Sequence, residues 1–404
     1  MSTSLLYHGF GLRGYRYVAA RYVEGEIVFT VRQERPDLCC AACASRRVTL
    51  HGGEWRLFRA LPIGGKRAYV LFQVPRVECH DCHVTRQVRI TFAQPRRSYT
   101  HAFERYALEL SRRMTIKDVA QHLGISWDTI KDMQTRYLQR HFARPALRHL
   151  RRLAIDEIAV GKGRRYLTVV LDLESGAVVF VGEGRGADSL EPFWRRLRSA
   201  RARIEAVALD MAPAYMSAVQ KHLPQAVLVF DRFHIIKMFN DRLTEFRRDL
   251  YHDARGRRQK KVLKGTRWLL LKNPENLDPA QREQQRLREA LRLNRPLATA
   301  YYMREDLRQI WEQADKATAT RVLDDWIARA EQARIKVLQR MAATLREHRP
   351  GILAYYDYPI STGPLEGTNN KIQTMKRQAY GFRDFAFFKL KIYALHETKY
   401  ALVG

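Results

Sequence analysis

The chain has 404 residues, 46% of them hydrophobic, enough for a sizeable buried core and for two to four domains instead of one. With 72 Lys and Arg against 42 Asp and Glu, its formal charge is +30, which excludes the near-neutral balance of an ordinary cytosolic enzyme and calls for a polyanionic partner. A membrane surface would also attract cations. Here, however, they run from Arg13 to Lys399 and do not gather on one amphipathic helix or beside a span, so nucleic acid is the expected partner.

No stretch reaches the roughly 18 to 20 apolar residues of a membrane-spanning helix. The start, Met1 to His8, lacks a basic region followed by an apolar block, so the protein is expected in the cytoplasm. Residues 1–95 alternate short β-rich runs, such as Tyr69 to Val74, with Gly, Pro and Cys punctuation, the pattern of a small ribbon-like module. All five cysteines fall here, before residue 83. Cys40-Ala41-Ala42-Cys43 and Cys79-His80-Asp81-Cys82 are two C-x-x-C knuckles, each able to aim two thiolates at one tetrahedral ion about 2.3 Å away. Together they predict one structural zinc site, with the run from Trp55 to Val74 filling the long gap between them. Cys39 is an ambiguous fifth thiol, and His80 or His83 could replace a ligand.

From residue 96 to about 145 the periodicity turns helical: His101 to Met114, Ile116 to Leu123, and Ser126 to about Gln139. Gly124 supplies a sharp turn and Ser126 a cap, the pattern of a helix-turn-helix. Its last helix would turn Trp127, Asp128, Lys131 and Asp132 to a major groove, with Arg136 nearer phosphates.

After Arg144-Pro145 five strands are expected, over 153–158, 166–172, 177–181, 204–209 and 226–230, with a helix over 188–201, which together make a mixed α/β sheet. From about His234 to Tyr356 the pattern is helical, with Leu323, Trp326, Ile327 and Ala330 on one face. Asp156 lies inside an apolar strand and Asp210 ends another; a buried charge is costly unless paired or bound to metal. Glu366 follows the Gly363-Pro364-Leu365 turn at the start of a helix that also carries Asn369, Asn370, Lys371, Lys376 and Arg377. These three acids are the candidate catalytic, metal-binding set, and Asp231 could support them, replace Asp210 as a ligand or cap the next helix, the supporting or structural roles being favoured. Arg195, Arg196, Arg198, Arg201 and Arg203, and the cations from Arg255 to Lys264, form basic helices suited to phosphate backbones.

These motifs, in this order, resemble the ISL-three family of bacterial insertion-sequence transposases over nearly the whole chain. The resemblance rests on the paired knuckles, the helix-turn-helix, Ile155-Asp156-Glu157, Asp172-Leu173-Glu174-Ser175-Gly176, Leu209-Asp210-Met211 with Tyr215, Asp231-Arg232-Phe233-His234, and above all Gly363-Pro364-Leu365-Glu366-Gly367-Thr368-Asn369-Asn370-Lys371 running on to Gly381-Phe382. One departure is Cys39-Cys40, where such ribbons more often show Cys-Pro. The resemblance implies a zinc ribbon (1–95), a helix-turn-helix (96–145) and an RNase H-like catalytic core (150–235 and 358–404) interrupted by an all-α insertion (236–357). It makes Asp156 and Asp210 neighbours, with Glu366 returning from beyond the insertion, to hold two Mg²⁺ (or Mn²⁺) ions for phosphodiester hydrolysis and strand transfer. Asp231, His234 and Asn370 would support this site. Lys371, Lys376, Arg377 and Arg383 would lie along the DNA, and two copies of the chain would join two element ends. The competing class is a non-catalytic DNA-binding regulator or domesticated transposase, which would need only the first 145 residues. A structure-specific nuclease could share the same core, whereas a tyrosine recombinase lacks its Arg-His-Arg arrangement around a late tyrosine.

Overall fold

The computed structural model describes residues 5–161 and 165–396; Lys399, the last of the cations noted above, lies outside them. The chain divides into two compact units, Met1–Arg140 and His141–Gly404.

In the first unit a short helix α1 (Leu5–His8) precedes a five-stranded sheet of β1 (Arg16–Val23), β2 (Glu26–Arg32), β3 (Val48–Ile63), β4 (Lys66–Cys79) and β5 (Thr85–Gln87). The order is β1-β2-β4-β3, with β5 also on β4; β2 and β4 run parallel and the other pairs antiparallel. The ribbon expected over Trp55 to Val74 is a longer hairpin, turning at Gly64-Gly65 and running back until Val48 faces Cys79. Alternation along β4 buries Ala68, Val70, Phe72 and Val74 against Phe58 and Phe92. The β1/β2 hairpin had no sequence signal, because every residue of β1 is exposed or half-exposed and no apolar alternation marks it.

Helices α2 (His101–Leu110), α3 (Ile116–Leu123) and α4 (Trp127–His141) follow. Thr100 and Thr115 accept hydrogen bonds from the amides of Phe103 and Asp118, and the Ser126 hydroxyl accepts from the Thr129 amide. Gly124 takes the left-handed conformation, φ 62°, between α3 and α4. Helix α2 stops at Leu110, short of Met114, where the Ser111 hydroxyl turns back onto the Ala107 carbonyl. Buried Arg59 of β3 ties sheet to helices: its guanidinium donates to the Leu123 carbonyl and stacks on Tyr69 and Phe103.

The second unit holds β6 (Arg152–Gly161), β7 (Arg165–Asp172), β8 (Val178–Glu183), α5 (Glu191–Ala200), β9 (Ala206–Leu209), α6 (Pro213–His222) and β10 (Val227–Phe230). The sheet order is β10-β9-β6-β7-β8, with β6 to β8 an antiparallel meander and β9 and β10 parallel to β6. All five strands fall within a few residues of their expected places. Leu153 and Ile155 of β6 share a core with Phe193, Trp194 and Leu197 of α5 and Tyr215 and Val219 of α6. The opposite side of β6 meets α14 (introduced below), so the central strand is covered twice and reads as a continuous apolar run.

Then come α7 (Arg232–Asp253), α8 (Arg257–Gly265), α9 (Glu283–Leu293), α10 (Arg295–Arg308), α11 (Lys316–Gln332), α12 (Lys336–Glu347), α13 (Arg349–Leu353), α14 (Gly363–Gln378) and α15 (Phe385–Tyr393). Leu323, Trp326, Ile327 and Ala330 are all buried, and the Trp326 indole donates to the Met303 carbonyl at 2.7 Å. Arg304, fully buried, satisfies itself on Asn240 and on the carbonyls of Leu271 and Lys272. Helix α13 crosses β10 so closely that a Cβ on Gly351 would lie 2.4 Å from the Phe230 ring, whereas one on Gly367 of α14 would meet open space. Gly351→Ala is therefore expected to destabilise the fold by about 1–3 kcal/mol through overpacking. Gly367→Ala should stabilise it by roughly 0.5–1 kcal/mol through helix propensity; chemical denaturation of the two variants reads both signs.

Candidate active site and metal centre

Three adjacent parallel strands carry acids in line, Asp156 within β6 and Asp210 and Asp231 just past the ends of β9 and β10. Phe230 pairs with Leu209 and Ala208 with Ala154, so the residues just beyond, Asp231 and Asp210, continue the rows that lead to Asp156. Each carboxylate is satisfied differently. Asp231, 3% exposed, caps α7 through the Phe233 amide (2.6 Å) and accepts from the Thr362 amide (2.6 Å) and hydroxyl (2.8 Å), fastening the segment that opens α14. Asp210 accepts from the Ala212 amide at 3.1 Å. Asp156 accepts from the Glu157 amide and from the Asn369 side chain, both at 2.8 Å. Burial pushes the Asp156 carboxyl up to about 6; the Glu157 amide and His234 act against this, while Asp210 and Glu157 add to it. Asp156 is thus raised chiefly by its burial, and His234, in the first turn of α7, is close enough to lower it.

Helix α14 lies along β6 on two side-chain contacts: Asn369 on Asp156, and Gln373 on the Ala159 carbonyl at 2.6 Å. Positions 366, 369 and 373 share one helix face. Glu366, exposed in the first turn, is therefore carried to the strand of Asp156. The three carboxylates do not converge within one coordination sphere; among the described residues only the cysteines do. Asn370, expected to support the acids, is exposed, and its neighbour Asn369 makes the contact, because a one-residue step turns a helical side chain by about 100°. Asn369 and Gln373 were legible only as members of the Glu366 face at i+3 and i+7.

In the first unit the thiols of Cys40, Cys43, Cys79 and Cys82 all lie within 4.8 Å of one another, with Cys40–Cys82 at 3.6 Å and Cys43–Cys79 at 3.5 Å. A tetrahedron with arms of about 2.3 Å has edges of about 3.8 Å. The two knuckles repeat one backbone design. The amides of Ala44 and His83 donate to the carbonyls of Cys40 and Cys79, both residues adopt left-handed φ (63° and 53°), and the Cys40 and Cys79 amides return to Ser45 and Val84. Without a cation the thiols cannot all ionise: the amides of Cys43 and Ala42 hold Cys40 down to about 6, while the neighbouring Cys43 pushes Cys82 up to about 12. Cys39 stands outside the cluster. His80 is spent on Thr49, and His83 provides the left-handed turn, so neither histidine replaces a thiolate.

On α4, Trp127 is exposed and Lys131 stacks over its ring, 5.4 Å from the centroid. Arg136, expected near phosphates, is instead internal: it binds Tyr99 (2.6 Å), Glu104 (2.7 Å) and Asp132 and serves the packing of α2 on α4. Asp132 also takes Arg97 and so is not free for a groove.

Family models match the chain in chain order as a zinc finger of insertion-sequence transposases (residues 38–82), a helix-turn-helix domain of transposase family ISL3 (88–138) and an ISL3 transposase domain (153–392). The chain belongs to the ISL3 transposase family. It is 34% identical to the transposase of insertion element IS1001 from Bordetella parapertussis over 88% of each chain. It is 30% identical to that of IS1557 from Mycobacterium tuberculosis, over 82% of this chain and 79% of that one. It is therefore a DNA-binding, DNA-cleaving and strand-transferring enzyme with a structural zinc ribbon.

Two expectations follow for this transposase. The purified protein should carry about one zinc per chain; Cys43→Ser or a strong chelator should remove it and expose the amides at the base of the β3/β4 hairpin to hydrogen exchange, because such a site has no other strong support. Second, an Asp that titrates near 6 and not near 3.8 binds more protons folded than unfolded, so metal-free stability should fall as pH rises from about 4 to 6. That cost is about 3 kcal/mol at neutral pH, and Asn would forfeit one hydrogen bond of about 1 kcal/mol. Asp156→Asn should thus stabilise the metal-free protein above pH 6 and flatten this part of its pH profile, as read by thermal melts across pH.

Proposed function

We propose that Asp156, Asp210 and Glu366 hold the divalent cations, Mg²⁺ in the cell, of an RNase H-like core spanning 150–235 and 358–404. On this reading the helices of 236–357 are an all-α insertion between its halves, and 1–95 and 96–145 are separate DNA-binding modules. The observation that carries the reading is the Asn369–Asp156 bond, which brings the helix of Glu366 onto the strand of Asp156 beside Asp210. The sheet order, a three-stranded meander extended by two parallel strands on the side of the first, supports the same core.

The donor set fits such a cation. Carboxylates are hard oxygen ligands, and Asp156 and Asp210 repel each other in the absence of positive charge. Such cations, held by Asp156, Asp210 and Glu366, would supply activation of a water or a 3′-hydroxyl and would steady the departing oxygen of a phosphodiester. The chain's own residues do the rest. Asp231 fixes the start of α14 through Thr362, Asn369 orients Asp156, and His234 moderates the local charge. Lys371, Lys376, Arg377 and Arg383 extend cations away from the acids; among the described residues none of the four has an acidic partner. The substrates are the terminal inverted repeats of the chain's own element and a target duplex, with two copies of the chain joining two ends in the nucleoid.

The test incubates the protein with labelled duplex carrying those repeats, with Mg²⁺ or with EDTA. Nicking at the ends should require Mg²⁺. Asp156→Ala, Asp210→Ala and Glu366→Ala should each still bind DNA and lose about a thousandfold in cleavage, the several kcal/mol such cations provide. Asn369→Ala should lose about tenfold, and Asn370→Ala should cleave like the wild type. Cleavage that survives the three acid substitutions would mean the wrong acids are assigned; binding without cleavage by the wild type under any divalent cation would make the chain a DNA-binding regulator.

A further inference from the structure

Helix α14 ends on a residue other than glycine in the left-handed conformation, as α5 does at Arg201. The Gly381 amide returns to the Lys376 carbonyl at 2.9 Å and the Tyr380 amide to Arg377 at 3.0 Å, the hydrogen bonds of a helix terminator whose left-handed position glycine normally fills. Here Tyr380 holds that position at φ 52°, and the glycine comes one residue later, at φ 97°. A side chain in this conformation costs stability that glycine would not. The fold gains nothing in return, for Tyr380 is 100% exposed and its ring contacts no other ring or cation among the described residues. An aromatic ring held wholly in water, at a strained position, beside Lys376, Arg377 and Arg383, lacks an intramolecular purpose.

We propose that Tyr380 is a base-stacking residue, an aromatic wedge applied to the DNA that the enzyme processes. A nucleobase offers what the phenol lacks in the free protein, a flat apolar face, and base–aromatic stacking tolerates any sequence. The three cations within four residues of Tyr380 in the chain, Lys376, Arg377 and Arg383, suit the phosphates on either side of such a base. Helix geometry places the ring about 21 Å along the α14 axis from Glu366, at 1.5 Å per residue. That span equals about six base steps of duplex at 3.4 Å each. The ring therefore acts away from the acids, unstacking and holding the duplex so that the strand is presented to them. This inference rests on the placement of the acids proposed above only for that spacing.

The experiment uses the full-length protein and duplexes carrying the element's ends, with 2-aminopurine placed in turn at each position within ten steps of the cleaved phosphate. Wild type and Tyr380→Phe should change the fluorescence at one position or two adjacent ones, and Tyr380→Ala and Tyr380→Gly should not. Cleavage per bound complex should fall about tenfold in the Ala and Gly variants, worth about 1.4 kcal/mol, and recover in Phe and Trp variants, while Tyr380→Gly melts at or above the wild-type temperature. A purely structural tyrosine would show the reverse, with Tyr380→Gly melting lower. A 2-aminopurine signal that persists in Tyr380→Ala, or a Gly variant that cleaves like wild type, would overturn the proposal. Failure of the proposed acids would appear separately, as cleavage by Asp156→Ala with the Tyr380 signal intact.

Discussion

Carboxylates within and just beyond buried strands have to be compensated, and much of the catalytic unit is arranged around that requirement. Four acids meet it in four ways. Asp172 closes its own turn, accepting from the amides of Glu174 and Ser175. Asp210 takes the Ala212 amide. Asp231 recruits the N-terminus of α7 together with Thr362, a residue that lies beyond the whole helical segment. Asp156 draws in Asn369 and still carries charge that its surroundings resist. The demands of Asp231 and Asp156 together fix where the chain re-enters after its helices. Thr362 pins the first residue pair before α14, and Asn369 pins its second turn. A helix held at two points has little freedom left in where its first-turn glutamate stands.

The sheet was legible because burial on both faces leaves an unbroken apolar run, and the acids interrupting those runs stood out for the same reason. The knuckles were legible because thiolate pairs at that spacing have few other uses. Other features could not be read from residue type. The β1 hairpin carries its apolar residues on exposed faces, Tyr17, Val18, Tyr22 and Val23 among them, so periodicity had nothing to report. Arg136 looked like a phosphate contact because charge is visible in a sequence and its partners are not; Glu104 arrives from α2 and Tyr99 from the segment just before it. Asn370 and Asn369 are alike in composition, and only the angular position relative to Glu366 tells them apart.

The cysteine cluster and the proposed acid site follow opposite logics. The cysteine site is closed: four thiols, two copies of one backbone knuckle, and flanking polar groups such as His80 already committed to Thr49. Four protein ligands leave no coordination position for a substrate, which suits a strut. The acid site is incomplete by comparison. Its carboxylates are drawn together by strand ends and one helix but do not converge within one coordination sphere, and the unmet charge on Asp156 is what a cation would relieve. A net charge of +30 fits the same division of labour, since it counts cations without locating them. Arg304 and Arg136 serve the fold, buried or ion-paired, whereas the cations beyond Glu366 on α14 have no acidic partner among the described residues.

Three features that cost stability lie along α14 and the strand it packs on. At one end is Asp156, charged where the surroundings disfavour it; α14 then carries Gly367 in a helical position with room for a larger residue, and ends at Tyr380 in a conformation better suited to glycine. The helical segment from α7 to α13 bears costs of its own, for Arg282 and Arg334 take left-handed φ and burial disfavours the charge of Arg247; it also holds well-satisfied groups, the Trp326 indole on the Met303 carbonyl and Arg304 on Asn240 and two carbonyls. Proteins tolerate local cost where function requires it and recover stability elsewhere. One path among these costs runs from Asp156 along α14 to its exposed end. An extended substrate following that path would meet acids first, cations next and the aromatic ring last, which is the order in which a helix laid along a DNA strand would present them.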